Sequence, residues 1–293
     1  MSGRTGRQAV SRSGDRTIGR TTGSGRHDTA VLVRRPTRLL RFLTVAVAAG
    51  LVPASTAAQD TVRVLSYNIR HGAGMDGRVD LERTAAVIRA LAPDVVLLQE
   101  VDSCTARTGG IDQAGALAEL AELPHYAFGR FMEYEDGAYG MAILSATPVF
   151  EQWNAELPGG TEPRSALAAR IRPSPSVPEL VVVGIHLYRT ETERFEQARR
   201  LIDIFGEETA PVLLVGDFNS EPGDAVMRLL GERWTLPPKP SDARLTWPAD
   251  APRVEIDHAM YRPEQRIEVL DYRVIDERLA SDHRPVLLLV AVR

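Results

Sequence analysis

Residues 211–219 read Pro-Val-Leu-Leu-Val-Gly-Asp-Phe-Asn, an apolar run that ends abruptly in polar side chains. Such a short apolar run after a proline predicts a strand that is buried on both faces. Asp217 and Asn219 lie at the end of that strand. The sequence Ser-Asp-His-Arg-Pro at 281–285 has a related pattern, because Asp282 and His283 come directly before an apolar run at 285–290. Both stretches therefore place polar groups where a buried strand meets a loop.

Other apolar segments of the chain also carry polar side chains at an end. These residues are Asn68 after 61–67, Glu100 after 94–99, His186 within 180–187, and Asp257 before the strand that continues to 261. One carboxylate in such a place usually caps a helix or faces solvent in a loop. Six such ends that carry Asn, Glu, Asp and His predict an assembled site, since loops at one rim of a sheet are where sites form.

The rest of the pattern predicts a mixture of stacked sheets and a few one-sided helices. Apolar stripes at helical spacing run along 80–91, 112–121 and 190–205, and the segment 125–187 contains five strand-like runs separated by Gly or Pro. Asp80 is expected to cap the first helix. Thr190 and Glu193 are expected to form a capping box at the start of the third.

The motifs resemble those of the endonuclease/exonuclease/phosphatase superfamily, the group that includes deoxyribonuclease I and the neutral sphingomyelinases. The matching stretches are Leu-Ser-Tyr-Asn68-Ile, Leu-Leu-Gln-Glu100-Val, Tyr139-Gly140, Ile-His186-Leu, Val-Gly-Asp217-Phe-Asn219, Arg-Val-Glu-Ile-Asp257-His and Ser-Asp282-His283-Arg-Pro. They occur in the family's order and span the chain from about residue 61 to 291. The resemblance implies an α+β fold, a four-layer αββα sandwich of two mostly antiparallel sheets flanked by helices. It also implies hydrolysis of a phosphate ester with Mg²⁺ or Mn²⁺.

Hydrolysis of an anionic ester needs a hard cation, and Mg²⁺ prefers oxygen ligands. We expect Glu100, with Asn68 beside it, and Asp282 to hold the metal. By resemblance, Asp217 is the general base or orients the attacking water. Asn219 is then expected to hold a phosphate oxygen or that water.

The histidines of the motifs are expected to stabilise the transition state. His283 should be protonated and face the developing oxyanion, with Asp257 hydrogen-bonded behind its ring. His186 would face the phosphate from the other side and either help to stabilise it or protonate the leaving oxygen. Tyr139 either orients the substrate or supports the sheet. Arg164 is either a phosphate contact or a surface arginine on an edge strand.

Three further residues are less informative in the sequence. Trp247 lines the substrate cleft or packs in the core, and His258 is expected to be structural. Cys104 is the only cysteine, so the chain has no intramolecular disulfide.

The first 58 residues differ from the rest and are predicted to be a disordered leader and a signal peptide, followed by one domain at 59–293. Residues 1–30 are poor in large apolar side chains, and a basic stretch then precedes an apolar run at 43–52 and small residues up to Ala58. This run is about half of the ~18–20 residues that a membrane span needs, so no transmembrane anchor is expected. Export near Ala58 is the main interpretation. Arg34-Arg35 leaves a twin-arginine route open, and a cytoplasmic protein with an irrelevant tail is a further alternative.

Without the leader the chain is strongly acidic. Residues 59–293 contain 25 Lys and Arg against 37 Asp and Glu, a formal net charge of −12, and Lys239 is the only lysine. Such a charge does not attract nucleic acid, which favours small or lipid-like phosphate esters as substrates. A secreted nuclease remains an alternative, as does a non-enzymatic module that binds phosphorylated ligands. No stable protein partner is implied.

Overall fold

Eleven strands, four α-helices and two short 3₁₀ helices lie within residues 61–177 and 179–293, the part of the chain that the computed structural model describes. The strands are β1 (Thr61–Asn68), β2 (Val95–Ser103), β3 (His125–Tyr134), β4 (Gly137–Ser145), β5 (Val149–Leu157), β6 (Arg164–Ile171), β7 (Leu180–His186), β8 (Val212–Asp217), β9 (Asp257–Arg262), β10 (Ile267–Val274) and β11 (Val286–Val292). The α-helices are α1 (Leu81–Leu91), α2 (Gln113–Leu120), α3 (Glu191–Phe205) and α4 (Ala225–Leu230). The predicted leader and its boundary at residue 59 lie outside the described residues. Within those residues, no helix has the length and apolar character required to cross a membrane.

The strands form two sheets. The first has the order β10-β11-β1-β2-β4-β3, and the second has the order β5-β6-β7-β8-β9. Among the described strands, only the pairs β1–β2 and β7–β8 are parallel. Every other neighbouring pair is antiparallel. The prediction of two mostly antiparallel sheets is therefore confirmed.

Three apolar layers hold the sheets and helices together. Residues such as Leu97, Leu213 and Leu288 fill the space between the two sheets. The outer face of the first sheet packs on α1 and α2, and the outer face of the second packs on α3 and α4. Because strand side chains alternate between faces, each inner strand supplies apolar residues to two layers. This arrangement is the predicted four-layer αββα sandwich.

The helix starts agree with the sequence in part. The Asp80 carboxylate accepts a hydrogen bond from the backbone N–H of Arg83 at 3.0 Å and caps α1 as predicted. Thr190 is the N-cap of α3, but its hydroxyl donates to the Glu193 carboxylate and makes no cap bond to the helix backbone. The predicted capping box is therefore wrong in its hydrogen bonds, since the two side chains satisfy each other.

Gly216 is the position of β8 where only glycine fits. Its φ of 152° is outside the range that L side chains adopt readily, and a Cβ atom there would overlap the carbonyl oxygen of Ile185 on β7. The missing side chain lets the two parallel strands remain paired up to Asp217.

We expect Gly216→Ala to lower the free energy of unfolding by about 2–4 kcal/mol, because backbone strain and a backbone clash add together. Urea denaturation measures the change. Gly223→Ala is the matched control, since a Cβ at Gly223 meets no described atom within 4 Å. An equal change in the two variants would contradict the packing argument.

Candidate active site

The two parallel strand pairs end at one rim of the sandwich and carry the polar residues of the motifs. On the first sheet, Asn68 at the end of β1 pairs with Gln99 on β2. On the second sheet, Asp217 at the end of β8 pairs with His186 on β7 and with Asp257 on β9. Because parallel strands present their carboxyl ends at the same edge, these side chains meet across the gap between the sheets.

A β-bulge directs Glu100 into the cleft at this rim. Val96 and Leu98 face the helix-side core, so regular alternation would place residue 100 there as well. The register shifts between Gln99 and Val101, and Val101 takes the helix-side position instead. Glu100 has a left-handed φ of 56° and lines the cleft. The bulge thus releases one carboxylate from the apolar face of the strand.

Asn68 is buried between two carboxylates. Its Nδ2 donates to Glu100 Oε1 at 3.0 Å and to Asp217 Oδ2 at 3.2 Å, while its Oδ1 accepts from the Arg70 backbone N–H at 3.1 Å. Asn68 therefore connects the two halves of the site. Its predicted part in holding a metal depends on the remaining lone pair of Oδ1.

His283 lies between the two carboxylates Asp257 and Asp217. Its Nδ1 is 2.9 Å from Asp257 Oδ2, and its Nε2 is 3.7 Å from Asp217 Oδ2. Burial alone would lower the pKa of His283, but the charges of Asp257 and Asp217 outweigh it and raise the pKa to about 10. The imidazole is therefore a cation at neutral pH.

The two carboxylates respond in opposite ways to this environment. Burial and the charge of Asp257 raise the pKa of Asp217 to about 7, against the attraction of His283. For Asp257, burial works to raise the pKa, but the charge and hydrogen bond of His283 lower it overall. Asp257 is thus the permanent partner of the imidazolium, and Asp217 is the carboxylate that exchanges a proton near neutral pH.

His186 is a neutral, buried histidine at the end of β7. Its pKa lies well below the ordinary value because of burial and then the charges of Arg164 and His283. Its Nε2 is 3.4 Å from Asp217 Oδ2, and its buried Nδ1 has no hydrogen-bond partner among the described residues. A buried polar atom without a partner is uncommon and marks a place where a ligand or water can bind.

Two loop residues fix the neighbouring turns. Asn219 has a φ of 48°, its backbone N–H donates to Asp217 Oδ1 at 2.9 Å, and its Nδ2 donates to the Leu187 carbonyl at 2.9 Å. The Ser281 hydroxyl donates to the Asn68 carbonyl at 2.7 Å. The loop that carries His283 is thereby attached to the end of β1.

Arg164 lies in a cleft of about 580 Å³ together with the motif residues. Its side chain is only 5% exposed, stacks over Phe131 and Tyr188 with its Cζ atom 5.0 and 5.8 Å from the two ring centroids, and forms an ion pair with Glu162. Its buried Nε has no partner among the described residues. The alternative of an edge-strand surface arginine is wrong, because β6 is an inner strand.

Tyr139 supports the sheet and lies at the cleft, and its part in orienting a substrate stays a prediction. It lines the cleft, and it is also 7% exposed and packs edge-on against Phe131 in the core between the sheets.

The comparison with known proteins agrees with this geometry. The model of the endonuclease/exonuclease/phosphatase family matches residues 65–283, which include every residue of the site described above. The chain belongs to this family. Its members are hydrolases that act on phosphoester bonds, and they generally use divalent metals.

Individual proteins are similar to this chain in sequence or in fold. The uncharacterized protein YbhP of Escherichia coli (strain K12) is 29% identical over 171 residues, 55% of this chain and 68% of that protein. The crystal structure of an endonuclease/exonuclease/phosphatase from Beutenbergia cavernae DSM 12333 has a TM-score of 0.66 and 25% identity, covering 79% of this chain and 72% of that one. Mannosyl-6-phosphatase Bt3783 of Bacteroides thetaiotaomicron VPI-5482 shares the fold, with a TM-score of 0.63 and 18% identity over 78% of this chain and 99% of that one.

The charges in the cleft suggest where a family metal fits. Glu100 and Asp282 both line the cleft, and neither forms an ion pair within residues 61–177 and 179–293. Burial raises the pKa of Glu100, against the hydrogen bond from Asn68 and the charge of His283, which lower it. Two cleft carboxylates that form no ion pair among the described residues are a hard oxygen donor set that suits a divalent cation.

A second group of possible ligands is less suitable. Atoms of Asp217, Asp257 and His283 all lie within 4.8 Å of one another. A protonated imidazole cannot bind a metal, however, and the His283 cation already compensates the two carboxylates. The residues present thus fit a metal on the side of Glu100 and Asp282.

Sequence reasoning missed part of the lining of the cleft. Glu162 and Arg189 line it, as do Val254 and Ile256. Trp247, which the sequence left between core and cleft, lies in the cleft, 40% exposed, with its ring centroid 6.5 Å from that of His283. Arg189 follows His186 by three residues, a proximity that gave a usable signal. Glu162 precedes Arg164 by two residues, so the same signal was available for it.

We expect Asp257→Asn to lower the pKa of His283 from about 10, because the substitution removes the strongest attraction on the imidazolium. Titration of the imidazole nitrogens by NMR with ¹⁵N-labelled histidine measures the shift. The control is Asp271→Asn, which alters an exposed ion pair on β10. An unchanged pKa of His283 in the Asp257 variant would contradict the assigned pairing.

Proposed function

We propose that the protein is an exported, divalent-metal-dependent phosphoesterase that cleaves a phosphodiester or a phosphomonoester by in-line attack of water. One observation carries the proposal. A buried His283 imidazolium, paired with Asp257 and Asp217, lies in the same cleft as the carboxylates of Glu100 and Asp282, which form no ion pair among the described residues. One side of the cleft suits a cation, and the other supplies a proton acceptor and a fixed positive charge.

Glu100 and Asp282 would hold Mg²⁺ or Mn²⁺, with Asn68 as the third predicted ligand. A bound divalent cation supplies a Lewis acid that neutralises charge on phosphate oxygens. Asn68 also holds Glu100 and Asp217 through its two Nδ2 hydrogen bonds, so the metal side and the base side keep a fixed separation.

Asp217 is the general base of this proposal. Water forms a new bond to phosphorus, the bond from phosphorus to the leaving oxygen breaks, Asp217 takes the proton of the water, and solvent supplies a proton to the leaving oxygen. A carboxylate with a pKa of about 7 is well matched to this task near neutral pH. His283 keeps its proton and stabilises the charge that develops on the phosphate oxygens.

Other residues of the cleft offer contacts for the phosphate. Arg164 Nε and His186 Nδ1 are both buried without a partner among the described residues, and Arg189 lies beside them at the cleft. Stacking on Phe131 and Tyr188 holds the Arg164 side chain in place, so its guanidinium loses little freedom when it binds an oxygen. We assign substrate binding to Arg164 and Tyr139.

The cleft and the charge of the chain favour a compact substrate. A volume of about 580 Å³ suits a small ester or a lipid head group. The net charge of −12 over residues 59–293 opposes the approach of long polyanions. The nuclease alternative therefore ranks second. Substrate binding needs no stable protein partner.

A substrate panel tests the function. It contains bis-p-nitrophenyl phosphate, sugar and inositol phosphates, sphingomyelin, phosphatidylinositols, DNA and RNA, each with Mg²⁺, Mn²⁺ or Ca²⁺. We expect turnover of small esters that EDTA abolishes and that changes little with salt. Turnover of DNA or RNA that falls steeply with salt would identify a nuclease. Binding of esters without turnover under any condition would favour the non-enzymatic module.

Two variants separate the roles within the site. Glu100→Gln should weaken Mn²⁺ binding about 10–100-fold, because it removes a charged ligand. His283→Ala should lower kcat about 100–1000-fold with Mn²⁺ binding retained, because it removes the positive charge that faces the developing oxyanion. Calorimetry with Mn²⁺ and steady-state kinetics measure the two effects. Equal losses of metal binding in both variants would contradict the division.

Export is the last part of the proposal and depends on the leader, which lies outside the described residues. Processing near Ala58 would give a protein that begins at Gln59. N-terminal sequencing of protein recovered outside the cytoplasm tests this. An intact leader on all of the active protein would contradict it.

A further inference from the structure

Lys239 is the only lysine in a chain that contains 35 basic residues, and it is buried. Its side chain is 1% exposed, although the flanking segment contains three prolines and lies at the surface. Burying an ammonium group is costly unless its hydrogen bonds are satisfied. The position of this lysine therefore calls for an explanation that the proposed reaction does not provide.

The ammonium group of Lys239 has an acceptor for each of its three hydrogens. Nζ donates to Glu255 Oε1 at 2.9 Å, to the Asp257 carbonyl at 2.7 Å and to His258 Nδ1 at 3.2 Å. The match of three donors to three acceptors explains the choice of lysine over arginine. A planar guanidinium has five donors and would leave some of them unsatisfied here.

His258 connects Lys239 to the loop that directly follows the general base Asp217. Because its Nδ1 accepts from Lys239, its Nε2 carries the hydrogen and donates to the carbonyls of Ser220 at 2.9 Å and Glu255 at 3.1 Å. Burial and the charge of Lys239 lower the pKa of His258 to about 3, which keeps the ring neutral. The ring also packs edge-on against Phe218, with 5.4 Å between the centroids.

The three side chains of this cluster, Lys239, Glu255 and His258, lie behind the catalytic residues and do not line the cleft. Lys239 holds the backbone of Asp257, the partner of His283. Through His258 it also holds Ser220, next to Asn219, whose N–H binds the Asp217 carboxylate. One buried ammonium group thus connects the backbones that carry both catalytic aspartates.

We propose that Lys239 is a positioning residue that fixes Asp217 and Asp257 relative to each other through Glu255 and His258, an inference that rests on the proposed hydrolysis. Without the Lys239 donor, the Asp257 carbonyl and His258 Nδ1 lose a hydrogen-bond partner, so the His258 ring is free to turn away from the Ser220 carbonyl. The loop at 218–220 then loses a hydrogen bond, and the general base loses its alignment. Errors of about 1 Å in such alignment cost about 100-fold in rate.

The experiment compares Lys239→Met, which keeps the length of the side chain, with the unaltered full chain. We expect kcat for bis-p-nitrophenyl phosphate to fall about 10–100-fold, while KM and the affinity for Mn²⁺ stay within about two-fold. Amide exchange followed by NMR or mass spectrometry gives a readout besides activity. Exchange should accelerate at 218–220 and remain slow at 212–215 in β8, the strand that precedes this loop.

Two further variants keep the test decisive. Arg170→Met is the control for loss of a partly buried cation, because Arg170 contacts Glu151, Glu179 and Glu208 at the end of β6 away from the cleft. Its kcat should be unchanged. Glu255→Gln retains an acceptor for Lys239 and covers the case in which Lys239→Met does not fold. It should lower kcat and accelerate the same exchange to a smaller extent.

The outcomes separate the inference from the proposed function. Normal kcat and normal exchange at 218–220 in the folded Lys239→Met protein would overturn the positioning role. If Arg170→Met lowered kcat as much as Lys239→Met does, the positioning role would also be overturned. An unaltered chain that hydrolyses no ester would overturn the hydrolase proposal, while the exchange at 218–220 would still show whether Lys239 holds the loop.

Discussion

The parallel pairing of β1 with β2 and of β7 with β8 is the constraint on which the site depends. Every other pair of neighbouring strands in the described residues is antiparallel and sends successive strand ends to opposite edges. A parallel pair ends two neighbouring strands at one edge, and stacking the two sheets brings both such edges together. Asn68, His186 and Asp217 occupy these ends, so backbone pairing alone places them near one another. The later strands then add Asp257 and His283 to a rim that already exists.

Charge compensation divides this rim into two parts with different chemistry. The positive charge of His283 compensates Asp217 and Asp257. The buried imidazole keeps this charge because each of the two carboxylates lies within 4 Å of it. Glu100 and Asp282 have no such partner in the described part of the chain and present their charge to the cleft. The side-chain amide of Asn68 bridges the two parts and sets the distance between them. A cation and a proton acceptor can therefore act on the same phosphate without neutralising each other.

Much of the fold and of the site could be predicted, because burial leaves a clear pattern in sequence. Apolar runs that end in polar residues marked the strand ends, and the motif resemblance gave their assembly into a sandwich. Contacts between side chains left a weaker pattern. The burial of Arg164 between two aromatic rings depends on β6 being an inner strand, which no local sequence shows. Whether the Thr190 side chain bonds to the Glu193 carboxylate or to the helix backbone depends on its rotamer. The contacts of Lys239 could not be predicted from the proline-rich segment around it, since its three acceptors belong to residues more than fifteen positions away.

Two residues of the site have backbone conformations that lower local stability. Glu100 and Asn219 have φ values of 56° and 48°, a region that costs a non-glycine residue about 1–2 kcal/mol. Glycine at either position would relieve this strain but would remove the carboxylate or the amide. The surrounding structure holds both conformations in place. Val101 fills the helix-side position beyond the bulge, and Asn219 makes two hydrogen bonds of its own. Backbone strain is retained where a side chain must leave the regular alternation of a strand to enter the cleft. The buried contacts behind the cleft hold the backbone in this strained conformation.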